Sequence, residues 1–538
     1  MPMLHSLRTR LLILTGVFSL CSPFGFRLAD AQTHPAQESV TASLSAQARA
    51  PSPITLLPAD AMAVYAGRPV ATTDHQPSTA AGFLALAGTA RQMGLWPRGG
   101  RHYADMLSAL PLLGRYPHAG ALLDVTVSPI GADSHRLNTL HAVVLVRCGE
   151  EVELIERRIA YAIRAYTNDQ VSHVEQVDWR PDSSLGGPDT PITYHRLLDS
   201  RLPEWAACEW GPIDDLYIVG FGTGTWEHAA RAATGQAPSL GADPWFRQAY
   251  ADCRGPDAQI AVLLDPLRIR DRIGQTAPDP ADRVIGALQM NRYQKSLHTF
   301  GRLERAITCY SASSIDGQYT FTPVSDPHAF RSEHLALIPP EAEHYAIMRW
   351  SLARWLPRVV RAYVASRSEQ HRATINTWWD DLQTELSINV QQDLLDQLGE
   401  TTVLHTYPPH PLGVPFLCTF LFEIKGDPAR VERTLARLLT PVSTPDTQSA
   451  SQPAAPSDRK PCILQARRAD GIWYWQAGIF AVLGLGVDDN WLVLSFSPEA
   501  VRQNLAYLRA ARTAPVTQGA FRPDRGARVE PEPYGDED

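Results

Sequence analysis

Cysteine is scarce in this sequence, and the placement of the few cysteines argues against a metal site. The 538 residues contain seven cysteines, none in a CxxC pair and none with a histidine at metal-ligand spacing. They are Cys21, Cys148, Cys208, Cys253, Cys309, Cys418 and Cys462. A chain this long can build its own core without covalent cross-links. We therefore expect buried free thiols, with one disulfide as the alternative if the chain is exported.

An excess of positive charge is also missing. Lysine and arginine number 49 against 57 aspartate and glutamate residues, which gives a formal net charge of -8. Such a chain has no general basic field that would attract nucleic acid. Beyond the N-terminal region, the sequence contains no apolar stretch of the length that a bilayer requires. The sequence thus predicts no nucleic-acid partner and no membrane span after its N-terminal segment.

Motifs of known catalytic or cofactor chemistry are absent. The sequence has no GxSxG, HExxH, EF-hand or Walker pattern. Ser457 and Lys460 match SxxK, but they lie in a low-complexity segment that offers no scaffold for a nucleophile. We therefore predict no catalytic, cofactor-binding or metal-binding residue.

The N-terminus has the pattern of a secretory signal. Arg8 and Arg10 precede an apolar stretch at 11–26, and Ala29-Asp30-Ala31 is a small-x-small cleavage site. The apolar stretch is short for a membrane span. We predict cleavage before Gln32 and export to the periplasm or the exterior. The alternative is an uncleaved segment that anchors the chain in the membrane.

Composition and periodicity divide the rest of the chain into five parts. Segments rich in Ala, Ser, Thr, Gln and Pro without apolar periodicity cannot bury enough surface to order themselves. We assign 1–31 to the signal peptide and 32–53 to a disordered leader. The first α+β lobe spans 54–240, a connecting strand, helix and hairpin segment spans 241–330, and the second α+β lobe spans 331–511. Residues 440–460 form a flexible insertion in that lobe, and 512–538 form a disordered tail.

Two stretches show the same change from an apolar strand to a capped helix. The strand at 216–221 leads to Thr225 and an alanine-rich helix, and the strand at 491–496 leads to Ser497-Pro498-Glu499. Ser497 can accept from free backbone N–H groups, and Pro498 suits the first helical position. These units predict a strand and a helix at the end of each lobe.

Further correspondences occur at nearly the same displacement. The apolar stripe of a helix at 152–163 is repeated at 428–439, a displacement of 276 residues, and Ile218 and Val493 lie 275 apart. The stretch Leu56-Leu57-Pro58 is likewise echoed by Leu337-Ile338-Pro339, at a displacement of 281 residues. Three such pairs in order indicate duplication. We therefore predict an α+β fold of two duplicated lobes, each an antiparallel sheet with helices packed on one face. The second lobe adds an amphipathic helix with the stripe Ile375, Trp378, Trp379, Leu382 and Leu386.

Short motifs resemble those of a known group of proteins. They are LPAD at 57–60 with its echo IPPE at 338–341, DPWF at 243–246 and DLLDQLG at 393–399. The sequence is similar over 54–512 to exported bacterial proteins of a domain-of-unknown-function family, which have a signal peptide and tandem α+β lobes. The resemblance implies export and architecture, and it brings no catalytic residue.

Two pairs of residues are candidates for ligand contact. Gly222 and Gly224 lie in a GxGxG run between a strand and a helix, where backbone N–H groups can approach a phosphate. The alternative is a plain left-handed turn. Trp473 and Trp475 share one face of a predicted strand and could stack on a sugar or a peptide. The alternative for both indoles is a place in the core.

The functional prediction rests on these features together. We expect an exported, non-catalytic binding or structural protein of the bacterial envelope, whose partner is another envelope protein or a polymer. The alternative is a secreted hydrolase with catalytic residues gathered from distant loops.

Overall fold

The computed structural model describes residues 51–68, 116–131, 134–166, 172–181, 191–200, 203–274, 278–288, 290–327, 330, 332–406, 418–439, 465–477 and 480–513. The predicted signal peptide, nearly all of the leader, the insertion and the tail beyond 513 lie outside these residues. The described part combines helices with one 18-stranded sheet, so the predicted α+β class is confirmed.

The strands of the described residues follow in chain order. They are β1 (Ala63–Gly67), β2 (His118–Gly131), β3 (Ser134–Arg147), β4 (Ser172–Trp179), β5 (Ile192–Asp199), β6 (Cys208–Ile213), β7 (Leu216–Phe221), β8 (Ile260–Leu264), β9 (Tyr293–Leu303), β10 (Ala306–Ile315), β11 (Gln318–Ser325), β12 (His344–Arg349), β13 (Leu398–Thr406), β14 (Cys418–Ile424), β15 (Gln465–Ala469), β16 (Ile472–Ala477), β17 (Phe480–Asp488) and β18 (Trp491–Ser495).

The helices of the same residues are α1 (Val152–Tyr166), α2 (Thr225–Ala233), α3 (Pro244–Asp252), α4 (Pro266–Gly274), α5 (Pro278–Ala287), α6 (Ser332–Leu335), α7 (Leu352–Ala365), α8 (Glu369–Leu386), α9 (Val390–Asp393), α10 (Pro428–Leu439) and α11 (Pro498–Thr513). Both predicted strand-to-helix units form, as β7 with α2 and β18 with α11. Ser497 accepts from the N–H of Ala500 at 3.4 Å, as expected of a helix cap.

Seven strands from the first part of the chain are neighbours in the order β1-β2-β3-β7-β6-β5-β4. Seven from the last part follow the order β12-β13-β14-β18-β17-β16-β15. Every pairing within these two groups is antiparallel. We call the first group the N-block and the second group the C-block.

The two blocks belong to one sheet, which corrects the prediction of a separate sheet in each lobe. The connecting segment supplies β8 to β11, and β8 pairs along the free edge of β1. β10 then reaches the C-block through one parallel bridge between Ala306 and Tyr345. An unpaired edge of β1 would expose a row of N–H and C=O groups, which β8 satisfies.

Buried side chains form separate clusters in the two blocks. In the N-block the largest is centred on Trp226 and Ile218, and it also takes in Leu297 of the connecting segment. In the C-block, Val493 and Val501 lie in one cluster. The predicted stripes of α1 and α10 do face the interior, because Ile155 and Val431 are both buried.

Helices cover both faces of the sheet, so the prediction of helices on one face only is wrong. In the N-block, α1 packs on the face that carries Val146, whereas α2 packs on the face that carries the adjacent Leu145. In the C-block, α10 packs on the face of Leu492 and α11 on the face of the adjacent Val493. Both faces of these strands are apolar, so each face needs a helix to cover it.

Candidate functional site

A cavity of about 550 Å³ lies where α3, α4, β9 and β10 meet. Its volume falls in the range of small-molecule sites. It is lined by Trp245, Asp265, Leu267, Arg268, Asp271, Arg272, Gln294, Lys295 and Ser314. These residues come from the connecting segment, whose role the sequence left undefined. We call this space the connector cavity.

The DPWF motif positions the indole of the connector cavity. Asp243 caps α3, because its Oδ1 accepts from the N–H of Trp245 at 2.9 Å and from that of Phe246 at 3.4 Å. Pro244 occupies the first turn, as its fixed φ favours. Phe246 is buried in the core, whereas the half-buried Trp245 lines the cavity.

Lys295 of β9 joins the cap to the cavity. Its ammonium group pairs with Oδ2 of Asp243 and lies 5.8 Å from the centre of the Trp245 ring. Burial would raise the pKa of Asp243, but the hydrogen bond and charge of Lys295 and the two backbone donors outweigh it. The pKa of Asp243 is therefore lowered, which keeps this carboxylate charged.

The arginines of α4 are paired with carboxylates in the same way. Asp265 accepts from the backbone N–H of Arg268 at 2.9 Å and lies 3.9 Å from its guanidinium group. Arg272 lies 3.3 Å from Oδ1 of Asp124 on β2. Asp271 pairs with its neighbour Arg270 at 2.8 Å. The cavity thus presents many donors and acceptors whose charges are already balanced within the chain.

The lining offers little for nucleophilic catalysis. Ser314 donates its hydroxyl hydrogen bond to Oε1 of Gln294 at 2.9 Å, and this carboxamide oxygen is not a base. Among the described residues that line the cavity, there is no histidine and no cysteine. The arrangement can hold a polar ligand, but it shows no pairing of a nucleophile with a base.

At the glycine turn before α2, the backbone N–H groups already bind a carboxylate of the protein itself. Glu209 of β6 is fully buried, and its carboxylate accepts from the N–H groups of Gly224 and Trp226, each at 2.9 Å. The guanidinium group of Arg196 donates to the same carboxylate at 2.9 Å. Gly222 and Gly224 both have positive φ, at 105° and 80°. This geometry supports the left-handed turn, and Glu209 occupies the position proposed for a phosphate.

The role of Glu209 was not predicted from the sequence. Its carboxylate acts on a helix that begins sixteen residues further along the chain, at Thr225. The only local signal is a charged residue in a strand whose other positions are apolar or small. Strand pairing between β6 and β7 is what brings it to the start of α2.

The two candidate indoles of β16 face the C-block core. Trp473 is 1% exposed, and the guanidinium group of Arg468 lies 4.7 Å from its ring centre. Trp475 is half-buried and packs against the same apolar cluster. Their shared face is therefore an interior face, which was the alternative to ligand stacking.

Helix α8 also carries two tryptophans, but these are exposed, unlike those of β16. All of its residues are described, and none of them is buried. Trp378 is 49% exposed and Trp379 is 39% exposed, although both belong to the apolar stripe that predicted the helix. An apolar stripe of this kind usually packs on a core.

The described residues contain neither a metal-binding cluster nor a membrane-spanning helix. No group of three or more His, Cys, Asp or Glu residues there could hold a metal ion. No helix among them has the length and apolar character needed to cross a bilayer. Cys148, Cys208, Cys253, Cys309 and Cys418 are free thiols in this part of the chain.

Comparisons with known proteins assign no family. No protein-family model matches the sequence, and no curated protein matches it. Among solved structures, the one titled "Structure of crystal form III of TP0453" is similar over 50% of this chain and 82% of that chain. The identity is 9% and the TM-score is 0.23, so this likeness bears on neither fold nor function.

Proposed function

We propose that this protein is an exported, non-catalytic binding protein of the bacterial envelope and that its ligand site is the connector cavity. The N-terminal signal pattern supports export. The observation that carries the proposal is a cavity of about 550 Å³ lined by an indole, a carboxamide and balanced ion pairs. Its lining lacks a described nucleophile–base pair, which favours binding over hydrolysis.

The lining fits a neutral, hydroxyl-rich ligand, and an oligosaccharide is the class we propose. Lys295, Arg268 and Arg272 each have a carboxylate partner within the chain, so they attract no ion by net charge. Their N–H groups and the carboxylate oxygens can still donate to and accept from hydroxyl groups. Trp245 supplies an apolar surface of the kind that covers a sugar ring.

Hydrolysis remains the second candidate because two carboxylates line the same cavity. Asp265 and Asp271 could in principle act as an acid and a base on a glycosidic bond. Asp265 is engaged as the cap of α4, and Asp271 is paired with Arg270. An assay for new reducing ends from a bound tetrasaccharide distinguishes the two functions, because a binding protein leaves the ligand intact.

The test is calorimetric titration with maltotetraose, cellotetraose and chitotetraose, and with inorganic phosphate as the anionic probe. We expect at least one tetrasaccharide to bind, and Trp245→Ala to weaken it by at least about tenfold because the apolar platform is lost. Trp205→Ala removes an indole that is half-buried, like Trp245, but lies outside the cavity, so it serves as the matched control. Equal affinity of the Trp245 variant and the wild type would refute the site. Binding of phosphate without binding of any sugar would refute the ligand class.

We also propose that the N-block and the C-block are two copies of one unit. The identical strand order supports this, and so does the register. Leu145 faces Ile218 across β3 and β7, and Leu421 faces Val493 across β14 and β18. The displacements are 276 and 275 residues, as in the sequence pattern.

The register agrees at the other strands too. On the first two strands of each block, Val64 faces Ala121 in the N-block and Tyr345 faces His405 in the C-block. Beside the last strand of each block, Gly211 faces Ile218 in the N-block and Gly486 faces Val493 in the C-block. Helices α1 and α10 follow equivalent strands. An experimental structure in which these two helices do not coincide when β7 is superposed on β18 would contradict duplication. The connector cavity has no counterpart under this scheme, since it lies outside both units.

A further inference from the structure

Helix α8 exposes an apolar surface that helices of its length normally bury. It runs from Glu369 to Leu386, and its stripe consists of Ile375, Trp378, Trp379, Leu382 and Leu386. Ile375, Leu382 and Leu386 are half-buried, whereas the two indoles are exposed. Helices in proteins gain most of their stability by packing such a stripe.

The C-terminal end of α8 is attached to other parts of the chain, whereas the tryptophans in its middle are exposed to solvent. Oε1 of Gln383 accepts from the N–H of Val390 at 3.0 Å, and Arg437 of α10 donates to the carbonyl of Ser387 at 2.7 Å. The contact of 2.9 Å between the Ser368 hydroxyl and Nδ1 of His371 lies within the first turn of the helix itself. The ring centres of the two tryptophans are 6.2 Å apart. The stripe is therefore exposed on a helix whose C-terminal end is held in place.

The spacing of the stripe is the same when it is read from either end. His371, Ile375, Trp378, Trp379, Leu382 and Leu386 are separated by four, three, one, three and four residues. A two-fold interface needs this self-complementarity, because residue i must meet residue j while j meets i. In an antiparallel pair centred between the two tryptophans, Ile375 meets Leu382 of the second copy. Each tryptophan meets its own counterpart, Trp378 with Trp378 and Trp379 with Trp379, because like flanks of the two helices face each other.

The charges on α8 agree with a second copy and argue against a lipid surface. His371, Trp378 and Glu385 are seven residues apart and share one flank of the stripe. Like flanks meet in an antiparallel pair, so Glu385 faces His371 of the second copy. The opposite face carries Asp380. Helices that lie on membranes usually carry lysine or arginine there.

We propose that the protein is a two-fold homodimer in which α8 of one copy packs antiparallel on α8 of the other. The interface consists of the palindromic stripe, with the two tryptophans of each copy at its centre. This inference does not depend on the ligand of the connector cavity.

Sedimentation of the full chain from about 1 to 100 μM tests the dimer. We expect a mass of two chains for the wild type and of one chain for the Trp378→Ser/Leu382→Ser variant, with unchanged circular dichroism. Asp380→Ser, on the opposite face, should remain dimeric. A wild-type chain that is monomeric throughout overturns the proposal, and so does a stripe variant that dimerises like the wild type. A monomer that co-sediments with phosphatidylcholine–phosphatidylglycerol vesicles would also overturn it and would assign the stripe to a lipid surface.

Cysteine cross-linking tests the antiparallel arrangement separately. Trp378 lies beside the two-fold axis, so two Trp378→Cys side chains should form a disulfide under mild oxidation with oxidised glutathione. Two Ile375→Cys side chains would be about 10 Å apart along the helix by its rise of 1.5 Å per residue, which is too far for a disulfide. Equal cross-linking of both variants would indicate a parallel pair and overturn the antiparallel proposal. The wild type, treated alike, reports on the native thiols.

Discussion

At the scale of single residues, the most constrained side chain is the buried carboxylate of Glu209. It accepts from Arg196, from Gly224 and from Trp226, so it joins β5, the glycine turn and α2. Arg196 also pairs with the more exposed Glu175 at 3.1 Å. The same arginine therefore has one buried and one exposed partner, which allows a matched comparison.

We expect Glu209→Ala to lower the free energy of unfolding by about 3–5 kcal/mol, because it leaves a guanidinium group and two helix N–H groups without their buried acceptor. Glu175→Ala, which removes the exposed partner of the same arginine, should cost less than about 1 kcal/mol. Urea unfolding followed by circular dichroism measures both. Similar costs for the two variants would show that Glu209 is not the main anchor of Arg196.

A second residue-scale prediction concerns the pair formed by His228 and Asp60, whose side chains lie 2.9 Å apart. Their hydrogen bond is the main cause that raises the pKa of His228 above 6.5 and lowers that of Asp60 below 3.8. The histidine contribution to stability is complete below pH 6.5 and is lost as pH rises through its raised pKa. The aspartate contribution is present above pH 3.8 and is lost as pH falls through its lowered pKa.

The pair should therefore stabilise the fold most between these limits. We expect His228→Gln to lower the melting temperature at pH 5.5 and to have almost no effect at pH 9. Asp60→Asn in the His228→Gln background should add little at pH 5.5, because the partner is already gone. A loss that is equal at both pH values would contradict the titration argument.

At the scale of elements, α1 and α10 show that an apolar pattern predicts the buried face of a helix but not how deeply each residue is buried. Both form where the spacing predicts them. Ile155 and Leu435 are 1% and 5% exposed, while Ile159 is half-buried. The stripe thus predicts which face turns inward, but the depth of each position depends on the strands that the helix covers.

We expect Ile155→Ala and Leu435→Ala each to lower the free energy of unfolding by about 2–5 kcal/mol, since each leaves a cavity in a packed cluster. Ile159→Ala should cost less because part of its side chain already meets solvent. Chemical unfolding provides the measurement. An equal loss at Ile159 and Ile155 would mean that the stripe is buried evenly.

At the scale of the whole molecule, the sheet is continuous but the buried clusters are not. The N-block cluster includes Leu297 and Tyr310 of the connecting segment, whereas the C-block clusters include Ala306 and Ile307 of the same segment, at the bridge between Ala306 and Tyr345. Helix α5 also touches α7, where Arg283 donates to the carbonyl of Ala365 at 3.2 Å. These contacts between the blocks involve fewer residues than the buried clusters within them.

We therefore expect calorimetry to show two unfolding transitions, because each block has its own core. Trp226→Ala should lower the temperature of one transition, since replacing a buried tryptophan costs about 3–5 kcal/mol. Val493→Ala should lower only the other. A single transition that both variants shift would show that the continuous sheet makes the molecule one cooperative unit.

The sequence by itself determined the features that depend on neighbours in the chain. Apolar period and capping residues predicted α1, α10 and the units β7–α2 and β18–α11, because helix spacing and N-caps are local interactions. The tertiary structure alone decided the joining of both blocks into one sheet, the burial of Glu209 under α2 and the convergence of four elements on Trp245. It also decided that the stripe of α8 lies open. These outcomes depend on strand pairing and packing between distant segments, and a local pattern shows that a face is apolar without showing what covers it.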